Sequence, residues 1–198
     1  MHIPIVYING LFWTIDNAKI SVLDRGFNYG DGLFETMRSY SGNVYRLECH
    51  LNRLFKSAGL IFIDLPMTKN EIRSAINQLL ELNKLSNSLV RLTISRGQQE
   101  PGINIDYSAP PTIVIMARPT SRIKDNALKK GVGIKIHKNS GIRIQGIPNQ
   151  IKSCNYLSNI LLREKAIKEG CFETILLDSN NNITEGTFTN IFIIKNKK

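Results

Sequence analysis

From Pro148 to Ile194 the chain reads PNQIKSCNYLSNILLREKAIKEG and then CFETILLDSNNNITEGTFTNIFII. A helix pattern covers about Asn155 to Glu169 and stops at Gly170, a residue suited to the left-handed backbone of a helix C-terminus. Phe172 to Leu177 is an apolar run of strand length, and Asp178 to Asn182 is rich in turn formers. From Ile183 onward the chain returns as the second arm of a hairpin. Lys152 stands before the helix and Glu185 after the strand. Between them, such an amine and carboxylate can hold an aldehyde as a Schiff base and keep an aromatic ring nitrogen protonated.

Upstream, short strands and helices alternate. Ile5 to Ile8 leads through Asn9-Gly10, a strong hairpin dipeptide, into Leu11 to Trp13. Leu33 to Tyr40 reads as a strand, Ser41-Gly42-Asn43 as a turn, and Val44 to Leu47 as a return. Leu51, Leu54, Phe55 and Ala58 share one face of a helix from His50, which Gly59 can end. Thr68 and Glu71 form a capping box opening a helix to about Asn83. Ser88 to Arg96 and Thr112 to Arg118 read as strands, joined by a loop containing glycine and proline. Pro119-Thr120-Ser121 looks like a linker. A short helix near Lys124 to Lys130, a strand from Val132 to His137 and an irregular stretch, Asn139 to Gln150, then deliver the chain to Lys152. Phe192 to Ile194 reads as a further strand.

Composition limits the function classes. With 42% hydrophobic and 21% charged residues the chain is ordinary for a soluble globular protein. It has no apolar stretch long enough for a membrane span, and its start lacks the pattern of a signal peptide. The three cysteines, Cys49, Cys154 and Cys171, have no metal-ligand spacing. They fit a reducing cytoplasm, with Cys154 a small packing residue. A net charge of +10 first suggests nucleic-acid binding. The basic residues are scattered, however, and no recognition motif accompanies them, so an anionic cofactor or substrate is the expected use of the positive field.

Four motifs in order resemble the class IV (fold type IV) pyridoxal-phosphate enzymes, which comprise the branched-chain aminotransferases, D-amino-acid aminotransferases and aminodeoxychorismate lyases. The first is Asp24-Arg25-Gly26-Phe27-Asn28-Tyr29-Gly30-Asp31-Gly32-Leu33-Phe34-Glu35-Thr36. The others are the helix from His50 to Ala58, the segment Lys152 to Leu157, and Glu185 to Phe192. The resemblance covers nearly the whole chain. It implies an α+β fold in two domains: a small N-terminal domain of antiparallel sheet plus helices, 1–118, and the first part of a cofactor domain, 119–198. Family members continue past the glutamate motif into a threonine- and glycine-containing phosphate loop. The resemblance therefore implies an incomplete cofactor domain here, with an exposed sheet edge and weak cofactor binding.

For the site, the resemblance implies that Lys152 binds pyridoxal 5'-phosphate and moves the substrate's Cα proton. Glu185 would pair with the ring nitrogen, and Arg53 would hold the phosphate with its guanidinium fork. Tyr156 would contact the cofactor's phenolic oxygen. Tyr29 and Phe34 would line the substrate pocket, and Arg91 and Arg96 would meet a substrate carboxylate. Asp31 reads as a turn or capping residue, and His50 as a cap or core contact. No metal is expected. After Arg96-Gly97 the loop Gln98-Gln99-Glu100-Pro101-Gly102 lacks the arginine and histidine that D-amino-acid aminotransferases place there. The expected activity is transfer of an amino group from an amino acid to a 2-oxo acid, by a cytoplasmic homodimer of the branched-chain type. The alternatives are an aminodeoxychorismate lyase and a shortened, non-catalytic homologue.

Overall fold

The computed structural model describes residues 3–120, 129–138 and 151–195. They divide into two units, 3–120 with 151–154, and 129–138 with 155–195. A boundary after residue 118 therefore misses one piece. The segment carrying Lys152 joins the first unit by pairing with its sheet, a long-range contact that local sequence pattern does not carry. The short helix expected near 124–130 (apart from residues 129–130) and the stretch 139–150 lie outside the described residues.

The first unit is a six-stranded antiparallel sheet covered by two helices. Its strands are β1 (Ile5–Ile8), β2 (Leu11–Thr14), β3 (Gly32–Tyr40), β4 (Asn43–Val44), β5 (Ser88–Ser95) and β6 (Thr112–Pro119), in the order β2-β1-β6-β5-β3-β4. The β1–β2 turn is tight because Asn9 and Gly10 both take positive φ, 46° and 94°, matching the strand twist. A helical turn absent from the sequence reading, α1 (Arg25–Tyr29), is capped by the Asp24 side chain and closed by Gly30 in the left-handed region.

Helix α2 (Leu47–Leu60) begins earlier than its apolar stripe suggests, leaving only two residues for β4. Helix α3 (Lys69–Leu82) opens on Thr68, whose hydroxyl accepts from the Glu71 amide while Glu71 reaches back to the Thr68 amide. Thr68→Ala removes one half of this box and is expected to cost about 1 kcal/mol in urea denaturation. The far end of α3 is tied to β1 by Asn83, whose amide group exchanges two hydrogen bonds with the Ile5 backbone. Leu51, Leu54, Ile72, Ile76 and Leu79 of the helices meet Leu33, Met37, Val90, Leu92, Ile94, Ile113 and Ile115 of the sheet, and all are buried. Strand alternation then fixes the other face of β3, β5 and β6. It carries Phe34, Thr36, Arg38, Leu89, Arg91, Thr93, Val114, Met116 and Arg118.

In the second unit, β7 (Ile134–His137) pairs parallel with β8 (Glu173–Leu177), and α4 (Leu157–Lys168) is the helix that a parallel pair requires between its strands. Strand β9 (Ile183–Gly186) returns antiparallel to β8. All five residues of β8 are buried, whereas α4 buries only Ala166 and leaves Leu157, Ile160 and Leu161 exposed. The strand expected at Phe192–Ile194 does not form. These residues are irregular and more than 80% exposed, with no ladder partner among the described residues. No helix among the described residues is long and apolar enough to cross a membrane.

Candidate active site

Lys152 is placed by its main chain. The Phe34 amide donates to the Lys152 carbonyl and the Cys154 amide to the Gly32 carbonyl, both at 2.9 Å. Leu33 faces Ser153 in an antiparallel bridge. Residues 152–154 thus extend the sheet along the β3 edge that β5 does not use. This register sets the lysine side chain on the Phe34 face. Its Nζ lies 5.8 Å from the Phe34 ring centroid, and the Arg91 guanidinium carbon lies 3.8 Å from the same centroid. Two cations share one buried aromatic ring, an arrangement the ring quadrupole favours. The residues of β3, β5 and β6 on this face include three arginines and no carboxylate, so its chemistry suits an anionic ligand. Burial pushes the neighbouring Cys154 thiol up, against the opposing pull of Arg91, which keeps it a neutral packing group.

Arg53 stands on the helix side of the sheet. Its Nε and Nη2 grip the two oxygens of Glu35 at 2.5 and 2.6 Å, and its Nη1 lies outside this fork. Nδ1 of His50 lies 2.9 Å from Glu35 and must donate, because a carboxylate only accepts. Burial alone would raise the Glu35 carboxyl, but His50 and Arg53 outweigh it and hold it below the usual carboxylate range. Glu35 therefore orients Arg53 while leaving the guanidinium partly exposed.

Arg96 is committed elsewhere. Its guanidinium is buried and donates to both oxygens of Asp31 and to the carbonyls of Ile61 and Phe62. Arg25, also buried, shares the Asp31 carboxylate and donates to the carbonyls of Gly102, Ile103 and Asn104. The loop is pinned further by Tyr29, whose hydroxyl accepts from the Gly102 amide at 3.0 Å. Gln99 staples the loop by exchanging two hydrogen bonds with the Asp106 backbone. At its base, Gly97 has φ +91°, and an added Cβ would lie 2.0 Å from the Pro110 carbonyl oxygen.

Asp31 is also held low: burial raises its carboxyl, and Arg96 and Arg25 more than reverse this. Both shifts are downward, so each carboxylate stabilises the fold fully above its unfolded value, about pH 4. That contribution is lost as pH falls through the lower folded values. The urea midpoint is expected to fall steeply below about pH 4, and less so in Glu35→Gln, which has one of these groups removed.

In the second unit, Tyr156 occupies the N-cap of α4, and Glu185 is the third residue of β9. Thr184, beside Glu185, fastens this strand by donating its hydroxyl to the Leu176 carbonyl at 2.9 Å.

The structure thus joins Lys152, Phe34 and Arg91 on one sheet face. It pairs Arg53, partly exposed, with Glu35 and turns Arg96 inward onto Asp31. The sequence reading gave no role to Arg25, Glu35 or Glu173, and took Asp31 for a turn residue. The only available signal for Asp31 and Glu35 was an acid near arginines, which does not say which acid meets which base.

A family profile described as amino-transferase class IV matches residues 32–198. The chain belongs to the class IV aminotransferases. It is 35% identical to the putative branched-chain-amino-acid aminotransferase of Methanocaldococcus jannaschii, covering 96% of this chain and 65% of that protein. It is 32% identical to the D-alanine aminotransferase of Staphylococcus haemolyticus, covering 96% and 66%. The class IV chain described here therefore spans about two thirds of the length of these relatives.

Among solved structures, it matches a T.th. branched-chain amino acid aminotransferase complexed with N-(5'-phosphopyridoxyl)-L-glutamate. The TM-score is 0.81 at 26% identity, covering 93% of this chain and 62% of that one. The fold also matches that of 4-amino-4-deoxychorismate lyase from Pseudomonas aeruginosa, with a TM-score of 0.72 at 24% identity, covering 92% and 64%. These matches agree with the expected α+β class IV fold.

Proposed function

We propose that this protein is a pyridoxal-phosphate-dependent aminotransferase of the branched-chain type, working as a cytoplasmic homodimer on an amino acid and a 2-oxo acid. The observation that carries this reading is Lys152, held by main-chain hydrogen bonds on the edge of β3 with its amine toward the Phe34–Arg91 face. That face has cations and an aromatic wall and no acid, which fits an anionic, planar group. The relative complexed with a phosphopyridoxyl-glutamate adduct supports the same assignment. When bound, pyridoxal phosphate supplies the electron sink that takes up the charge left on the substrate carbon.

The residues of this chain do the rest. Lys152 would hold the cofactor and move the proton at Cα. Glu185 would be the partner of the ring nitrogen. Arg53, oriented by Glu35, offers its outer edge to the phosphate. Tyr156 would be the partner of the phenolic oxygen. Phe34 and Tyr29 wall the substrate side, and Arg91 takes a substrate carboxylate. Arg96 supports the Arg91 strand from behind through Asp31 and the 61–62 carbonyls. The three cysteines, none of them in a disulfide, support the cytoplasmic placement.

The test begins with adding pyridoxal phosphate and reading a visible yellow band that borohydride bleaches, with the added mass found on the Lys152 peptide. Amino transfer from leucine to 2-oxoglutarate is the expected activity. Release of pyruvate from aminodeoxychorismate would identify a lyase instead, and no band at all would overturn the assignment.

A further inference from the structure

The turn that follows Glu185 is wrapped around a buried acid that is not itself part of the proposed chemistry. Glu173, the first residue of β8, is 2% exposed. One of its oxygens accepts from the Thr187 hydroxyl at 2.5 Å and the Thr174 amide at 2.8 Å. The other accepts from the Thr189 hydroxyl at 2.9 Å and, more weakly, the Phe188 amide at 3.4 Å. No lysine, arginine or histidine among the described residues pairs with it. Burial would raise this carboxyl, but the donors from Thr187, Thr174, Thr189 and Phe188 prevail and keep it ionised.

Gly186 closes over the same carboxylate: an added Cβ would lie 2.8 Å from Oε2 of Glu173 and 2.1 Å from the Thr189 hydroxyl. The turn is fastened from the helix side as well. Asn159 donates to the Thr187 carbonyl at 2.7 Å, and the Arg163 guanidinium stacks 3.8 Å from the Phe188 centroid.

We propose that Glu173 is a positioning residue that aims Glu185, by anchoring the Gly186–Thr189 turn from below. This inference rests on the reading of Glu185 as the partner of the cofactor's ring nitrogen. The donor pattern makes the role specific to a carboxylate. Each oxygen receives one backbone N–H and one hydroxyl. A glutamine in either amide orientation would set an NH2 group against a backbone N–H, which cannot rotate away. The turn would then shift, and Glu185 with it.

The test uses the protein loaded with pyridoxal phosphate labelled with 15N at the ring. Glu173→Gln is expected to keep the yellow, borohydride-reducible adduct on Lys152. Its ring nitrogen is expected to move toward the unprotonated chemical shift, and the pH midpoint of the visible band to move away from that of the unaltered protein. The turnover rate is expected to fall on the order of 100-fold with KM little changed, as a misplacement of about an ångström costs. Thr187→Val, which removes one donor at constant shape, should produce the same spectroscopic change in smaller measure, and Thr187→Ser should restore it.

If Glu173→Gln does not fold, the Thr187 pair decides alone. A ring-nitrogen signal and band midpoint unchanged in the variants, with loss confined to urea stability, would overturn the positioning role. Failure of the unaltered protein to form any band would instead remove the cofactor reading, and this inference with it.

Discussion

Lys152→Ala is expected to abolish the borohydride-reducible yellow band and to lower amino transfer by at least about 1,000-fold, because it removes both the covalent attachment and the proton carrier. The fold should survive. What Lys152 gives the sheet is its carbonyl, which accepts from the Phe34 amide, and alanine keeps that bond. Unchanged circular dichroism and urea midpoint would therefore accompany the lost activity. Lys152→Arg is the sharper control. It retains a cation near Phe34, yet a guanidinium neither attaches to the aldehyde nor releases a proton at accessible pH. If it retained the band, or more than a few per cent of the rate, the assignment of Lys152 would be wrong. The measurement is a single-turnover reaction followed in the visible, with peptide mass after reduction.

The largest stability effect is expected at a residue without catalytic chemistry. Asp31→Ala would leave Arg25 and Arg96, both buried, without the carboxylate they share. Stranding buried charges costs roughly 3–5 kcal/mol, a large fraction of a typical domain's stability. Asp31→Asn should cost nearly as much, since a neutral amide must then face two guanidinium groups with one oxygen. Removing the acid together with one base should recover part of the loss. In an Asp31→Ala, Arg96→Met double variant, the combined destabilisation is expected to fall short of the sum of the single ones. Additivity in urea denaturation would show that Asp31 does not act through Arg96. The Asp31 variants should also raise hydrogen exchange at residues 102–104, whose carbonyls Arg25 holds.

Much of the molecule was legible in the residues. The Thr68 capping box, the Asn9-Gly10 hairpin and the buried alternation of Val90, Leu92 and Ile94 are local codes, and the structure uses each of them. The Lys152 segment stood out for the same reason: its neighbours in sequence mark it. What stayed hidden is side-chain pairing across distance. Arg96 and Arg91 lie along one stretch of chain, five residues apart, and their parity sends them to opposite environments. Asp31 and the carbonyls of Ile61 and Phe62, all distant in sequence, hold Arg96 inward. Likewise Glu35 sits inside a motif whose pattern says nothing of His50 and Arg53 meeting it. The Phe192–Ile194 strand failed for a related reason: apolar composition states a preference, and a strand also needs a neighbour to bond with.

The Leu33–Ser153 bridge brings together residues 120 positions apart in the chain. Contacts of such high order form slowly, since a long loop must close before any bond is gained. During synthesis, the edge of β3 emerges from the ribosome well before the segment that will lie against it. Docking of the Lys152 segment against β3 is therefore expected late in folding, readable by pulsed hydrogen exchange at the Phe34 and Cys154 amides.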